Sequence, residues 1–235
     1  MIKAVIFDFD HTLYDREKTI AATAPSLRRL LSEYLHPHVT DEQFFDALLT
    51  AEISENGYYG KGYQGVCDEL DRLGVFAVKP TKAQYCEAFY PMMSANIVMF
   101  EDAYQVLGRL KSEGYKVALL TNGFVKSQHE KLSHTRVPEY MDEIIISEEL
   151  NLQKPDPGTF LAMCRRLGVR ADESVYVGDN IINDVCGARD AGLLPIWKPF
   201  AREWPEHLDP PAYTINNLTE IIDILKDINS APQNP

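Results

Sequence analysis

With 235 residues, 45% of them apolar and 25% charged, the chain is long enough to bury a substantial core and too balanced in composition for a disordered or fibrous protein. Its formal net charge of −12 repels phosphate backbones and anionic lipid, which argues against a nucleic acid polymer or a membrane as the general partner. No apolar run approaches the roughly 20 residues of a membrane span, and the start of the chain lacks a signal-peptide pattern, so the cytoplasm is the expected compartment.

Residues 2–9 form a short, nearly continuous apolar run that ends in acid, the pattern of a strand buried on both faces. From residue 15 to residue 95 such runs vanish, and helical patterning marks residues 20–34, 41–53, 63–73 and 81–93. Thr40 with Gln43, and Thr81 with Gln84, have the spacing of capping boxes. Between two of these helices, residues 56–65 carry four glycines and three tyrosines and are expected to form a mobile loop.

Beyond residue 96, β-rich runs return at 116–120, 143–146, 174–177 and 195–197, alternating with helical patterns at 103–113, 125–132, 157–167 and 183–191. Gly114, Gly168 and Gly192 stand where C-terminal caps belong. The alternation predicts an α/β fold, a doubly wound parallel sheet built from residues 1–14 and 96–235, with a smaller α-helical domain inserted at 15–95 and a tail at 230–235 expected to fray. The four cysteines, Cys67, Cys86, Cys164 and Cys186, make no C-x-x-C pair, and reduced thiols are expected.

In such sheets ligands bind beyond the carboxyl ends of the strands. The chemically informative residues follow the predicted strands in order: Asp8 and Asp10, then Thr121 and Asn122, then Lys154, then Asp179 and Asp184. Four carboxylates cannot all stay ionised in one crevice without a cation. An oxygen-only donor set, with no His or Cys, points to Mg2+ rather than zinc, and a metal, one lysine and a threonine hydroxyl form a clamp for a phosphoryl group.

Asp8-x-Asp10-x-Thr12, Leu120-Thr121-Asn122-Gly123, Lys154-Pro155-Asp156-Pro157, and Gly178-Asp179 with Asp184 together resemble the four ordered motifs of the haloacid dehalogenase-like superfamily. The helical insert after the first motif resembles the subfamily with an α-helical cap there, whose members include phosphoglycolate phosphatases, 5′-nucleotidases, sugar-phosphate phosphatases and 2-haloacid dehalogenases. The resemblance implies a Rossmann-like core and a magnesium-dependent phosphatase acting on a small phosphorylated metabolite. Asp8 would be the nucleophile, forming an aspartyl-phosphate, and Asp10 the general acid and then base. Thr121 would bond a phosphoryl oxygen, and Lys154 would neutralise charge and orient Asp8. Asp8, the Asp10 backbone carbonyl and Asp179 would hold magnesium, with Asp184 closing the shell through water or Lys154. Asn122, Gly123 and the helix starting near Val125 would face the phosphate.

Substrate choice is expected in the insert, with Tyr14 and Arg16 at its start and Tyr58 and Lys61 in the glycine-rich segment as candidate contacts. Nucleoside monophosphates, phosphoglycolate and sugar phosphates all stay open, with nucleotides slightly favoured because tyrosines stack on bases. Asp10 speaks against dehalogenation, since a halide leaves without a proton, and against a phosphonate-cleaving relative. A phosphosugar mutase keeps both aspartates, and a catalytically silent binding module would have lost them. His11 is expected to play a local orienting part and Thr12 to bond nearby backbone. His36 and His38 form too short a tract for a metal, and nothing in the sequence addresses oligomeric state.

Overall fold

The computed structural model describes residues 1–54, 57–200 and 203–230, without the side chains of residues 58–61 and 63. The chain divides into two compact units, one formed by Met1–Asp15 with Met99–Pro235, the other by Arg16–Val98. Strands β1 (Ala4–Phe7), β2 (Lys116–Thr121), β3 (Glu143–Ile146), β4 (Ser174–Gly178), β5 (Leu194–Trp197) and β6 (Tyr213–Thr214) belong to the first unit. In chain order the helices are α1 (Arg16–Leu30), α2 (Asp41–Ile53), α3 (Tyr58–Arg72) and α4 (Lys82–Ala95) in the second unit. In the first they are α5 (Ala103–Ser112), α6 (Val125–Ser133), α7 (Ser147–Leu150), α8 (Pro157–Leu167), α9 (Gly187–Asp190) and α10 (Glu220–Ser230).

All six strands run parallel, in the order β3-β2-β1-β4-β5-β6, so the sheet is the doubly wound α/β type that the sequence predicts. Ala4 and Ile6 face one side with Ala118, Leu120, Ile145 and Tyr176, packed against Phe160, Met163 and Leu167 of α8. Val5 and Phe7 alternate to the other face and are just as completely buried, which is why this run is apolar throughout rather than at every second residue.

β1 lies between β2 and β4, with Phe7 level with Leu119 on one side and Val177 on the other. The chain leaves β1 toward β2 and β3 and later returns to its opposite side at β4. The carboxyl ends of these three strands therefore splay apart at a topological switch point, where loops leave a crevice for ligand. Asp8 directly follows β1, Thr121 ends β2, and Asp179 directly follows β4.

Both capping boxes form as their spacing predicts, and Gly168 ends α8 at φ 66°, a left-handed conformation that favours glycine. Several elements differ from expectation. α3 begins at Tyr58, inside the segment expected to be a loop, because Val66, Cys67 and Leu70 bury one stripe of it; the glycine content instead marks a break at Gly62, with φ 60° and ψ −151°. Asn56, in the same segment, lies outside the described residues, as do residues 231–235 of the tail. α1 starts at Arg16 rather than residue 20, its polar first turn being held by tertiary contact. The helix expected over 183–191 is a π-turn, Ile181–Cys186, leading into α9. β6 and α10 were not expected: β6 is too short to show a period, whereas Ile221, Ile222 and Leu225 of α10 do carry a helical one.

In the second unit the Arg16 guanidinium is buried and donates from Nε and Nη2 to one oxygen of Glu52, at 2.9 and 2.8 Å. Removing one member of a buried pair strands the other charge, which costs about 3–5 kcal/mol. Glu52→Ala is therefore expected to lower unfolding free energy by about that amount in urea denaturation. A loss within about 0.5 kcal/mol, the scatter of neutral surface substitutions, would show that this pair is not what anchors α1.

Candidate active site

At the centre of the crevice sits the ammonium of Lys154, with 3% of its side chain exposed. It donates to Asp8 Oδ1 at 2.6 Å, to Asp184 Oδ1 at 2.6 Å and to the Tyr176 hydroxyl at 2.7 Å, which uses all three of its protons. The Tyr176 hydroxyl donates onward to the Leu120 carbonyl at 2.9 Å. Burial opposes charge on Lys154, yet the Asp184 and Asp8 carboxylates hold its pKa above the ordinary lysine value.

Lys154 is delivered by a loop stapled to the end of β2. The Asn122 amide donates to the Lys154 carbonyl at 3.0 Å, and the Lys154 N–H donates back to Asn122 Oδ1 at 2.9 Å. Both ends of the Asn122 side chain, expected at the substrate, are thus engaged in holding two loops together. Gly123 adopts φ 140°, and its N–H donates to Ser147 Oγ at 3.1 Å, tying the same turn to the end of β3. A side chain on Gly123 would be strained there and would meet Gln128 at 3.0 Å.

Asp184 comes from the π-turn after β4. Its Oδ2 accepts the Asn180 N–H at 2.9 Å, and Asn180 in turn caps the π-turn by accepting from the Ile182 and Asn183 N–H groups. Such turns are rare and frequently lie at functional sites. Gly178 leaves the space that Asp184 occupies, since a Cβ there would lie 2.4 Å from Asp184 Cγ. Asp179 is positioned through its own carbonyl, which accepts from Trp197 Nε1 at 2.9 Å.

Asp8, Asp179 and Asp184 each offer a carboxylate oxygen within 4.8 Å of the others, and all three residues are buried. Burial, with the neighbouring Asp184 and Asp10 charges, pushes Asp8 up to about 7 even though Lys154 works against the shift. Burial, Asp184 and Asp8 push Asp179 well above the ordinary carboxylate range. Three close carboxylates around one ammonium are short of positive charge. Their donor set is oxygen only, so the residues fit a hard divalent cation, magnesium above all.

Asp10 stands beside this cluster. Its carboxylate accepts from Lys131 Nζ at 2.9 and 2.7 Å and from the Tyr14 hydroxyl. Gln128 of α6 reaches Asp10, Thr121 Oγ1 and the Asn122 carbonyl at 3.4, 3.2 and 2.8 Å. His11, next to Asp10, takes φ 58°, stacks on Phe200 at 3.6 Å between ring centroids, and accepts on its carbonyl from buried Lys198 at 3.3 Å. Thr12, expected to bond local backbone through its hydroxyl, donates only its N–H to the Phe9 carbonyl; the buried hydroxyl has no hydrogen-bond partner among the described residues.

The structure thus brings Asp8, Asp10, Thr121, Asn122, Gly123, Lys154, Asp179 and Asp184 to the strand ends, with Tyr14 behind Asp10. Arg16 lies in the second unit against Glu52, and the side chains of Tyr58 and Lys61 are outside the described residues. Sequence reading missed Lys131, Gln128, Tyr176 and Ser147. One signal was present: α6 carries Gln128, Lys131 and Leu132 at the spacing of its buried face, where an ordinary surface helix shows apolar residues.

Fold and site together define a Rossmann-like α/β enzyme with an acidic crevice at its switch point. A family model described as haloacid dehalogenase-like hydrolase matches residues 5–197, and the chain belongs to that family. It is 30% identical over 234 residues to the glyceraldehyde 3-phosphate phosphatase of Methanopyrus kandleri, covering 97% of this chain and 99% of that protein. It is 26% identical over 239 residues to the N-acylneuraminate-9-phosphatase of Mus musculus, covering 97% and 95%. Among solved structures, a HAD-hydrolase from Bacillus subtilis bound to magnesium superposes with a TM-score of 0.77 at 19% identity, covering 95% of this chain and 98% of that one, a likeness of fold.

The close approach at Gly178 gives a direct test. Gly178→Ala forces Asp184 away from Lys154 and Asn180, and a displacement of that size in an active site costs on the order of 100-fold in turnover. The variant is expected to fold and to lose roughly that factor in kcat. Activity equal to the parent would mean that the placement of Asp184 does not matter to the chemistry.

Proposed function

We propose that this protein is a magnesium-dependent phosphatase that hydrolyses a small phosphorylated sugar or related phosphomonoester through an aspartyl-phosphate on Asp8. The single observation that carries the reading is the pairing of a buried, lysine-oriented Asp8 with a separately held Asp10 two residues on. Phosphoester cleavage needs both a nucleophile and a proton donor, whereas loss of a halide needs only the first. The similarity to phosphatases of glyceraldehyde 3-phosphate and N-acylneuraminate-9-phosphate moves sugar phosphates ahead of the nucleotides that the tyrosine-rich segment had slightly favoured.

Asp8, with one oxygen fixed by Lys154, directs its other oxygen at phosphorus. As the new O–P bond forms, the bond from phosphorus to the ester oxygen breaks, and protonated Asp10 gives its proton to the departing alkoxide. Asp10, now a carboxylate, takes a proton from water as that water attacks phosphorus, and the Asp8–phosphorus bond breaks to release inorganic phosphate. Thr121 and the Asn122 N–H would steady the phosphoryl oxygens, while the Gly123 N–H, held by Ser147, keeps the turn in place. Magnesium would be held by Asp8, Asp179 and the Asp10 carbonyl, with Asp184 in support, and would neutralise charge on the phosphoryl oxygens.

Phosphate release should be measured on glyceraldehyde 3-phosphate, hexose phosphates, phosphoglycolate and nucleoside monophosphates, with magnesium and with EDTA. Turnover is expected only with magnesium, highest on a sugar phosphate, and Asp8→Asn is expected to lose on the order of 10,000-fold or more. Turnover unaffected by EDTA, or an unimpaired Asp8→Asn, would overturn the reading.

A further inference from the structure

The chemistry above gives no task to a second buried ammonium, Lys131, whose side chain is 6% exposed and which contacts both oxygens of Asp10. It reaches them from α6. The socket is built for it: its Nζ stands 5.6 Å from the ring centroids of both Phe9 and Tyr14, which pack edge-on to each other at 4.9 Å. Tyr14 also donates its hydroxyl to Asp10 Oδ1. Its backbone is bridged to Asp10 and to Met99, so the main chain from which the Tyr14 side chain extends is held by pairing.

A lone carboxylate two residues past the nucleophile would rotate about its two side-chain torsions. A donor that spans both oxygens fixes the plane of the group, and a second donor on one oxygen fixes which edge is turned toward the crevice. A buried ion pair is poor evidence of a stabilising device, since apolar replacements of equal volume often serve the fold as well or better. The cost of burying Lys131 is better understood through what it holds.

From this geometry we infer that Lys131 and Tyr14 are positioning residues that lock the Asp10 carboxyl in the orientation from which it passes its proton to the leaving oxygen. The inference rests on the function proposed above, since it assigns a support to the acid of that reaction. It also explains why α6 has a lysine where its buried face calls for an apolar residue.

The test is the dependence of rate on the leaving group. Phenyl phosphate needs its leaving oxygen protonated, whereas 2,4-dinitrophenyl phosphate expels a far more acidic phenol and does not. Lys131→Met, which keeps the length of the side chain, is expected to lower kcat/KM on phenyl phosphate by about 100-fold and on the dinitro compound by less than about threefold. Tyr14→Phe, which removes one hydroxyl, is expected to show the same selectivity at about tenfold on phenyl phosphate. Asp10→Asn must show the selective loss too.

Retained kcat/KM on the dinitro compound, which reports phosphoryl transfer and not the later attack of water, shows that each variant is folded, so misfolding cannot imitate the expected result. Equal losses on both substrates, or no loss on either, with Asp10→Asn selective, would overturn the positioning role and leave the phosphatase reading standing. A parent enzyme without magnesium-dependent turnover, or an Asp10→Asn without selectivity, would overturn both.

Discussion

Three protons of one buried ammonium reach three oxygens that the chain delivers from different places: Asp8 past the end of β1, Tyr176 within β4, and Asp184 from the π-turn beyond it. Much of the rest of the site follows from that convergence. Lys154 must be buried to make these contacts, and a buried lysine keeps its charge only beside carboxylates. Burial, with repulsion among the carboxylates added to it, drives Asp8 and Asp179 toward the neutral form, and a divalent cation bound there would relieve both.

The local structure can be understood as the cost of holding that arrangement. Gly178 makes room for Asp184, a wider helical turn aims it, and Asn180 steadies the turn. Asn122 binds the Lys154 loop to β2, and Ser147 binds the adjoining turn to β3. Asp10 has its own ammonium, Lys131, as Asp8 has Lys154, and the two carboxylates, only two residues apart, still feel one another's charge.

The sheet was legible because strands buried on both faces leave long apolar runs, and the carboxyl ends of such strands are where polar residues gather for a reason. Asp8, Lys154 and Asp179 stood out since each is charged directly beyond such a run or in the loop that follows one. Tyr176 did not, for it lies inside β4, where a tyrosine looks like ordinary core until its hydroxyl is found against Lys154. Lys131 and Gln128 were hidden on a helix whose polar composition suggests an exposed surface. The glycine-rich stretch before residue 65 misled in the opposite sense, since its glycines break a helix at one point and do not prevent it. Arg16 looked available to a ligand because nothing local in the sequence reveals Glu52, 36 residues away, as its partner.

The carboxylate cluster is proposed to hold one divalent cation, and thermal unfolding with and without magnesium tests this without reference to substrate. Magnesium is expected to raise the melting temperature of the parent protein, because a ligand that binds only the folded state stabilises it by mass action. Asp179→Asn, which removes one buried carboxylate and one proposed ligand, is expected to melt no lower than the parent in EDTA and to lose the rise with magnesium. A parent indifferent to magnesium, or a rise that persists undiminished in Asp179→Asn, would contradict the account.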